Sequence, residues 1–207
     1  NLHFFATVFG TTIEENYHLI KDIYVQIEPF KDRRAGKLSG GMKQKLALCC
    51  ALIHKPDVLF LDEPTTGVDV VSRKEFWDML KKLKTQGLTI MVSTPYMDEA
   101  TLCDRIALIQ NGKILSVDTP EKIIGEYGDA LYLVTGNNMF ELLTALRAYE
   151  GTNSCFAFGY SLHLTLQPGV TTNDVLQYLK AKGYDEAVIE QTTPTIEDCF
   201  IKLLKSA

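Results

Sequence analysis

The short run Val58, Leu59, Phe60 and Leu61 constrains the chain most. Four apolar residues in a row, between Pro56 and Pro64, suit a strand buried on both faces of a parallel sheet. Asp62 and Glu63 follow at its carboxyl end, the side on which open α/β sheets bind their ligands. Two acids in that place can divide the work of nucleoside triphosphate hydrolysis. Asp62 would hold Mg²⁺, which takes oxygen ligands and keeps several waters. Glu63 would orient and polarise the attacking water. An ordinary strand ending in a charged turn gives the same pattern, so the stretch before it decides.

That stretch begins with Ser39, Gly40 and Gly41, followed by Met42, Leu46, Cys49, Cys50 and Ile53 at helical spacing. Ser39 can cap the helix. The glycines let a phosphate approach the backbone, and the free N–H groups with the helix dipole favour an anion there.

Together, LSGGMKQ at 38–44, VLFLDEP at 58–64 and TTGVD at 65–69 resemble the ATP-binding subunits of ABC transporters. The resemblance runs from residue 1 to about 126 and continues more weakly beyond. It implies Glu63 as the catalytic base and Asp62 as the holder of Mg²⁺ through water. It implies Leu38, Ser39, Gly40, Gly41 and Gln44 as a signature that contacts nucleotide in trans, and Asp69 as part of a dimer loop. ATP and Mg²⁺ are the implied cofactors. At the end of a second apolar strand, 88–94, the sequence departs from the family. Pro95 stands where the family has a histidine that touches the γ-phosphate, and proline offers neither a ring nitrogen nor an N–H.

Leu2, Phe5, Val8 and Phe9 mark the apolar face of an opening helix, and Thr12 with Glu15 predicts a capping box for a helix over 13–27. With the helix after Ser39, these fit the family's α-helical subdomain, which docks a membrane subunit. Residues 70–86 read as a helix with Phe76, Trp77, Leu80 and Leu83 inward, ended by Gly87. Asn111-Gly112 predicts a hairpin, and Thr119-Pro120-Glu121 a short helix. Beyond 128 the pattern is a strand at 130–134, a helix at 139–149 and a hairpin of 154–158 with 161–166. A helix at 172–182, a strand at 186–190 and a last helix at 195–204 follow. The order βαββαβ is that of a ferredoxin-like split unit. His163 alternates with Leu162 and Leu164, on a solvent or pairing face. The closing TPTIEDCFIKL at 193–203 resembles the C-terminal extension of ATPases that serve bacterial export permeases.

The expected fold is therefore α/β. A partial P-loop NTPase domain of ABC type, a parallel sheet with an α-helical subdomain, occupies 1–127. A small ferredoxin-like α+β accessory or regulatory domain occupies 128–207. No GxxxxGK[ST] run occurs in the 207 residues, and the first residue is Asn1. A piece of a longer chain, with its phosphate loop upstream, is the expectation.

The net charge of −5, with no basic block, argues against nucleic acid as a partner. No apolar run reaches the length of a membrane span. The 5 cysteines form no CxxC, which predicts buried thiols in a reducing compartment and no metal site. The expected function is the ATP-hydrolysing subunit of an ABC exporter. It would be cytoplasmic and held to the inner face of the plasma membrane by a partner permease. The alternative is a naturally short, non-catalytic module that supplies its signature in trans. Pro95 further implies an asymmetric pair, in which the second cassette is a heterodimer partner or a tandem fusion.

Overall fold

In a computed structural model, which describes residues 1–206, packing separates the chain after Leu102. Residue 207, the last of the expected accessory domain, lies outside the described residues.

The first unit opens with helix α1 (Leu2–Val8), which buries Leu2 and Ala6, one turn apart. Phe5, Val8 and Phe9, grouped with Leu2 on the apolar face read from the sequence, are 37%, 61% and 51% exposed. So short a helix buries one i,i+4 pair, and Ala6 rather than Phe5 completes it. Helix α2 (Ile13–Tyr24) carries the expected capping box between Thr12 and Glu15. It ends at Tyr24, short of residue 27, because the ring of Pro29 would clash with the carbonyl of Val25 in a continuing helix. Helix α3 (Gly40–Leu52) packs on α2 and buries Leu48, Cys49, Cys50 and Leu52, whereas Met42 and Leu46 near its start are half-buried.

Strands β1 (Val58–Asp62) and β2 (Thr89–Ser93) pair in parallel, with Val58 opposite Thr89 and Asp62 opposite Ser93. Between them runs α4 (Val70–Thr85), which buries Phe76, Trp77, Met79, Leu80 and Leu83. Gly87, at φ +92°, reverses the chain after it. Helix α5 (Met97–Ala100) follows β2. The strands are not buried on both faces as their apolar runs predict. Leu59 is 4% exposed, but Val58, Phe60 and Met91 on the other face are 44%, 72% and 63% exposed. Successive side chains point to opposite faces, and among the described residues helices cover only one face of the two-stranded ribbon. No helix among the described residues is long and apolar enough to cross a membrane.

The second unit starts with a hairpin of β3 (Ile106–Gln110) and β4 (Lys113–Asp118). Asn111 and Gly112 sit at φ +49° and +74°, the left-handed pair that a two-residue hairpin turn needs. Helix α6 (Pro120–Gly125) begins with Thr119 as cap and proline in its first turn. Strand β5 (Leu131–Thr135), helix α7 (Met139–Ala148), strands β6 (Thr152–Phe158) and β7 (Ser161–Leu166), helix α8 (Thr172–Ala181) and strand β8 (Val188–Thr192) then give the expected βαββαβ order. The sheet runs β6-β7-β5-β8, antiparallel throughout, which is the ferredoxin-like arrangement. Leu142 and Leu146 of α7 and Val175 and Leu179 of α8 close one core with Val134, Cys155, Leu162 and Leu164.

The opposite face of β7 carries His163, which is not at solvent. It is 7% exposed, its Nδ1 lies 2.8 Å from Asp198 Oδ1, and its ring stacks on Phe158 at 4.1 Å. Asp198 belongs to the last helix, α9 (Ile196–Ser206), which covers that face. Helix α9 also meets the segment before β5. Cys199 Sγ donates to the Ile123 carbonyl, Lys202 donates to the Tyr127 carbonyl, and Lys202 pairs with Asp129. These contacts group α6 with the C-terminal sheet, whereas the sequence motifs place a boundary after residue 127. Of the cysteines, Cys49, Cys50, Cys155 and Cys199 are buried and Cys103 is half-buried, all as thiols.

Candidate active site

The acid pair stands on the open face of β1. Asp62 and Glu63 are both exposed. Glu63 adopts φ +43°, a left-handed conformation that costs a non-glycine residue about 1–3 kcal/mol. Pro64 disfavours the right-handed helical alternative. The N–H of Glu63 donates to both the carbonyl of Ser93 (3.0 Å) and its Oγ (3.1 Å). Ser93 Oγ donates in turn to Asp62 Oδ1. Thr66 Oγ1 donates to Glu63 Oε2 at 3.1 Å, so the carboxylate folds over its own turn. Among the described residues no cluster of three or more His, Cys, Asp or Glu could hold a metal. One or two hard oxygens at a strand end suit instead a Mg²⁺ ion that keeps its waters and shares a nucleotide's phosphates.

At the start of α3, Ser39 Oγ accepts the Met42 N–H at 3.3 Å. The N–H groups of Gly40 and Gly41 lie in the first turn, where no intrahelical acceptor exists, and Gly40 is exposed. An anion can dock there. Leu38 is buried and anchors the turn, and Gln44 is half-buried with its Oε1 lacking a hydrogen-bond partner among the described residues. The two glycines differ. A Cβ on Gly41 would sit 2.9 Å from Ser72 Oγ and 3.0 Å from Ser72 Cβ, whereas a Cβ on Gly40 would sit 3.4 Å from the Gly67 carbonyl. Gly41 is therefore needed for the approach of α4, a reason the sequence reading did not supply. Asp69 caps α4 by accepting the Ser72 N–H at 3.0 Å. That N–H and the Ser72 hydroxyl hold its carboxyl below the usual aspartate range.

Pro95 is exposed just after β2. The turn around it is tightly held. Thr94 Oγ1 donates to Glu99 Oε2 at 2.6 Å and accepts the Tyr96 N–H at 3.1 Å. Glu99 is 2% exposed, and Arg73 of α4 lies with Nε 3.8 Å from Glu99 Oε1 and its guanidinium 4.4 Å over the Tyr96 ring. The parallel register brings Asp62, Glu63 and the Ser93–Pro95 turn together at one sheet end. Sequence reasoning gave Ser93, Thr66, Arg73 and Glu99 no individual role. Only the strand register, 58 opposite 89, would have pointed to Ser93.

The family model for ABC transporters matches residues 13–66. The probable multidrug ABC transporter ATP-binding protein YbhF of Escherichia coli (strain K12) is 37% identical over 212 residues, covering 100% of this chain and 36% of that protein. The Nod factor export ATP-binding protein I of Rhizobium sp. (strain N33) is 37% identical over 207 residues, covering 98% of this chain and 66% of that protein. The structure of CbiO1 from Clostridium perfringens, part of the ABC transporter complex CbiONQ, superposes with a TM-score of 0.53 at 27% identity, over 61% of this chain and 52% of that one. The chain thus spans little more than a third of the Escherichia coli relative's length. It belongs to the ATP-binding subunits of ABC transporters.

Proposed function

We propose that this chain is part of the ATP-hydrolysing subunit of an ABC exporter that drives substrate through a partner membrane permease at the cytoplasmic face of the plasma membrane. One observation carries the reading: Asp62 and Glu63 stand exposed side by side at a strand's end, tied by one serine. The names of the relatives, multidrug transport and Nod factor export, support the export direction. Bound Mg²⁺ would neutralise phosphate charge. Asp62 would hold it through one of its waters, and Glu63 would take the proton from the attacking water. The free N–H groups of Gly40 and Gly41, at a helix start where Ser39 Oγ takes the Met42 N–H, face the nucleotide of a second cassette, with Leu38 and Gln44 beside them in the signature. Asp69 lies in the loop that pairs the cassettes.

Pro95 removes a γ-phosphate contact from the cassette's own site. A hydrogen bond to a charged group is worth roughly 1.5–3 kcal/mol, so hydrolysis there is impaired. The signature serves the other site and is intact. This asymmetry favours a heterodimer or a tandem fusion of two cassettes, with this chain in the impaired half. In the full-length protein, Gly40→Asp should abolish most ATPase activity, and Pro95→Ala should change it little. Equal and large losses from both would overturn the asymmetric reading. A full-length protein devoid of ATPase activity would favour a non-catalytic module that supplies its signature in trans.

A further inference from the structure

We propose that Ser93 is a positioning residue of the metal site, joining the carboxylate of Asp62 to the backbone of Glu63 through one hydroxyl. A serine hydroxyl has one proton to give and two lone pairs to accept with. Here the proton goes to Asp62 Oδ1, and a lone pair takes the Glu63 N–H at 3.1 Å. The other carboxylate oxygen of Asp62 would be the one offered to a cation's water. The carboxylate rotamer is fixed before the metal arrives, and so is the left-handed turn that carries Glu63 at φ +43°.

The parallel register makes this possible. Asp62 and Ser93 are direct partners across β1 and β2, so both side chains leave the sheet on the same, open face. Neither residue is buried, so the hydroxyl does not serve a core. Alanine at 93 would keep the strand pairing and the carbonyl bond to Glu63 at 3.0 Å, removing only the hydroxyl's link. Partners that orient a metal's ligands are typically worth 10–100-fold in metal affinity.

This inference rests on the reading of Asp62 as the metal holder, and the experiment separates the two. In the full-length protein, binding of a fluorescent ATP analogue is titrated against Mg²⁺ for the parent, Ser93→Ala, Ser93→Thr and Asp62→Asn. Ser93→Ala should raise the half-saturating Mg²⁺ concentration about 10-fold or more, leave metal-free analogue affinity unchanged, and be rescued by Ser93→Thr. A shift in Asp62→Asn with none in Ser93→Ala overturns the role of Ser93 and leaves the metal reading standing. An equal shift in Ser93→Ala and Ser93→Thr also overturns it, because the hydroxyl would then not matter. No shift in Asp62→Asn overturns the metal reading itself, and the role of Ser93 with it.

Discussion

Gly40 and Gly41 are neighbours in the signature, yet different forces hold them. Gly41→Ala pushes a methyl into Ser72, at 2.9 Å from its Oγ. Overpacking of this kind costs about 1–3 kcal/mol, and chemical unfolding should show the loss. In a Ser72→Gly background, where the clashing side chain is gone, the same Gly41→Ala change should cost much less. Gly40→Ala meets its nearest atom at 3.4 Å and should stay within about 0.5 kcal/mol of the parent. The helix start at the doublet, with Ser39 as its cap, was legible in the sequence, because capping and glycine chemistry are local. The need of Gly41 for α4 was not, since it depends on which helix crosses nearby. Ser93 was hidden for a like reason: its partner Asp62 lies 31 residues away and meets it only in the paired sheet. His163 alternated correctly with its leucine neighbours, but nothing in that alternation shows that α9 covers the far face.

Among the elements, α4 and the β1–β2 ribbon make the sharpest cases. The start of α4 depends on the ionised form of Asp69, whose carboxyl is held low by the Ser72 N–H and then by its hydroxyl. A depressed folded value means that the cap's contribution is full above the ordinary aspartate value of about 3.9. It is lost as pH falls through the lowered one. Asp69→Asn keeps a good cap without a titrating group. The stability gap between parent and variant should therefore shrink between pH 5 and pH 2 in urea unfolding. Asp118 and Asp174, also held low by Lys122 and Thr171, titrate alike in both proteins and cancel. The ribbon's open face predicts a second result. Phe60 is 72% exposed, so Phe60→Thr should cost this chain less than about 0.5 kcal/mol and lower its binding of a hydrophobic dye. An apolar run marks a strand well but does not say which stretch of chain lies over each of its faces, and the described residues cover only one of them. Periodicity and turn chemistry fared better in the C-terminal βαββαβ order, where each strand and helix appears within a few residues of its expected place.

At the scale of the whole molecule, the second unit has its own closed core, so residues 103–206 should fold cooperatively when expressed alone, as seen by thermal melting. Starting instead at residue 130 removes the Ile123 and Tyr127 carbonyls and Asp129, the partners of Cys199 and Lys202 on α9. That shorter segment should melt at a lower temperature. Leu142→Ala, at a side chain with 0% exposure, should cost about 2–5 kcal/mol in either. The distribution of thiols across both units has a practical use. Burial pushes Cys49 up to about 12 and Cys155 and Cys199 up to about 11, and raises Cys50 as well. Alkylation also needs access to the sulfur, so a maleimide dye at neutral pH should react with the half-buried Cys103 before the four buried thiols. The native sequence thus offers one labelling handle at the first residue of the second unit, without replacing any of its other cysteines.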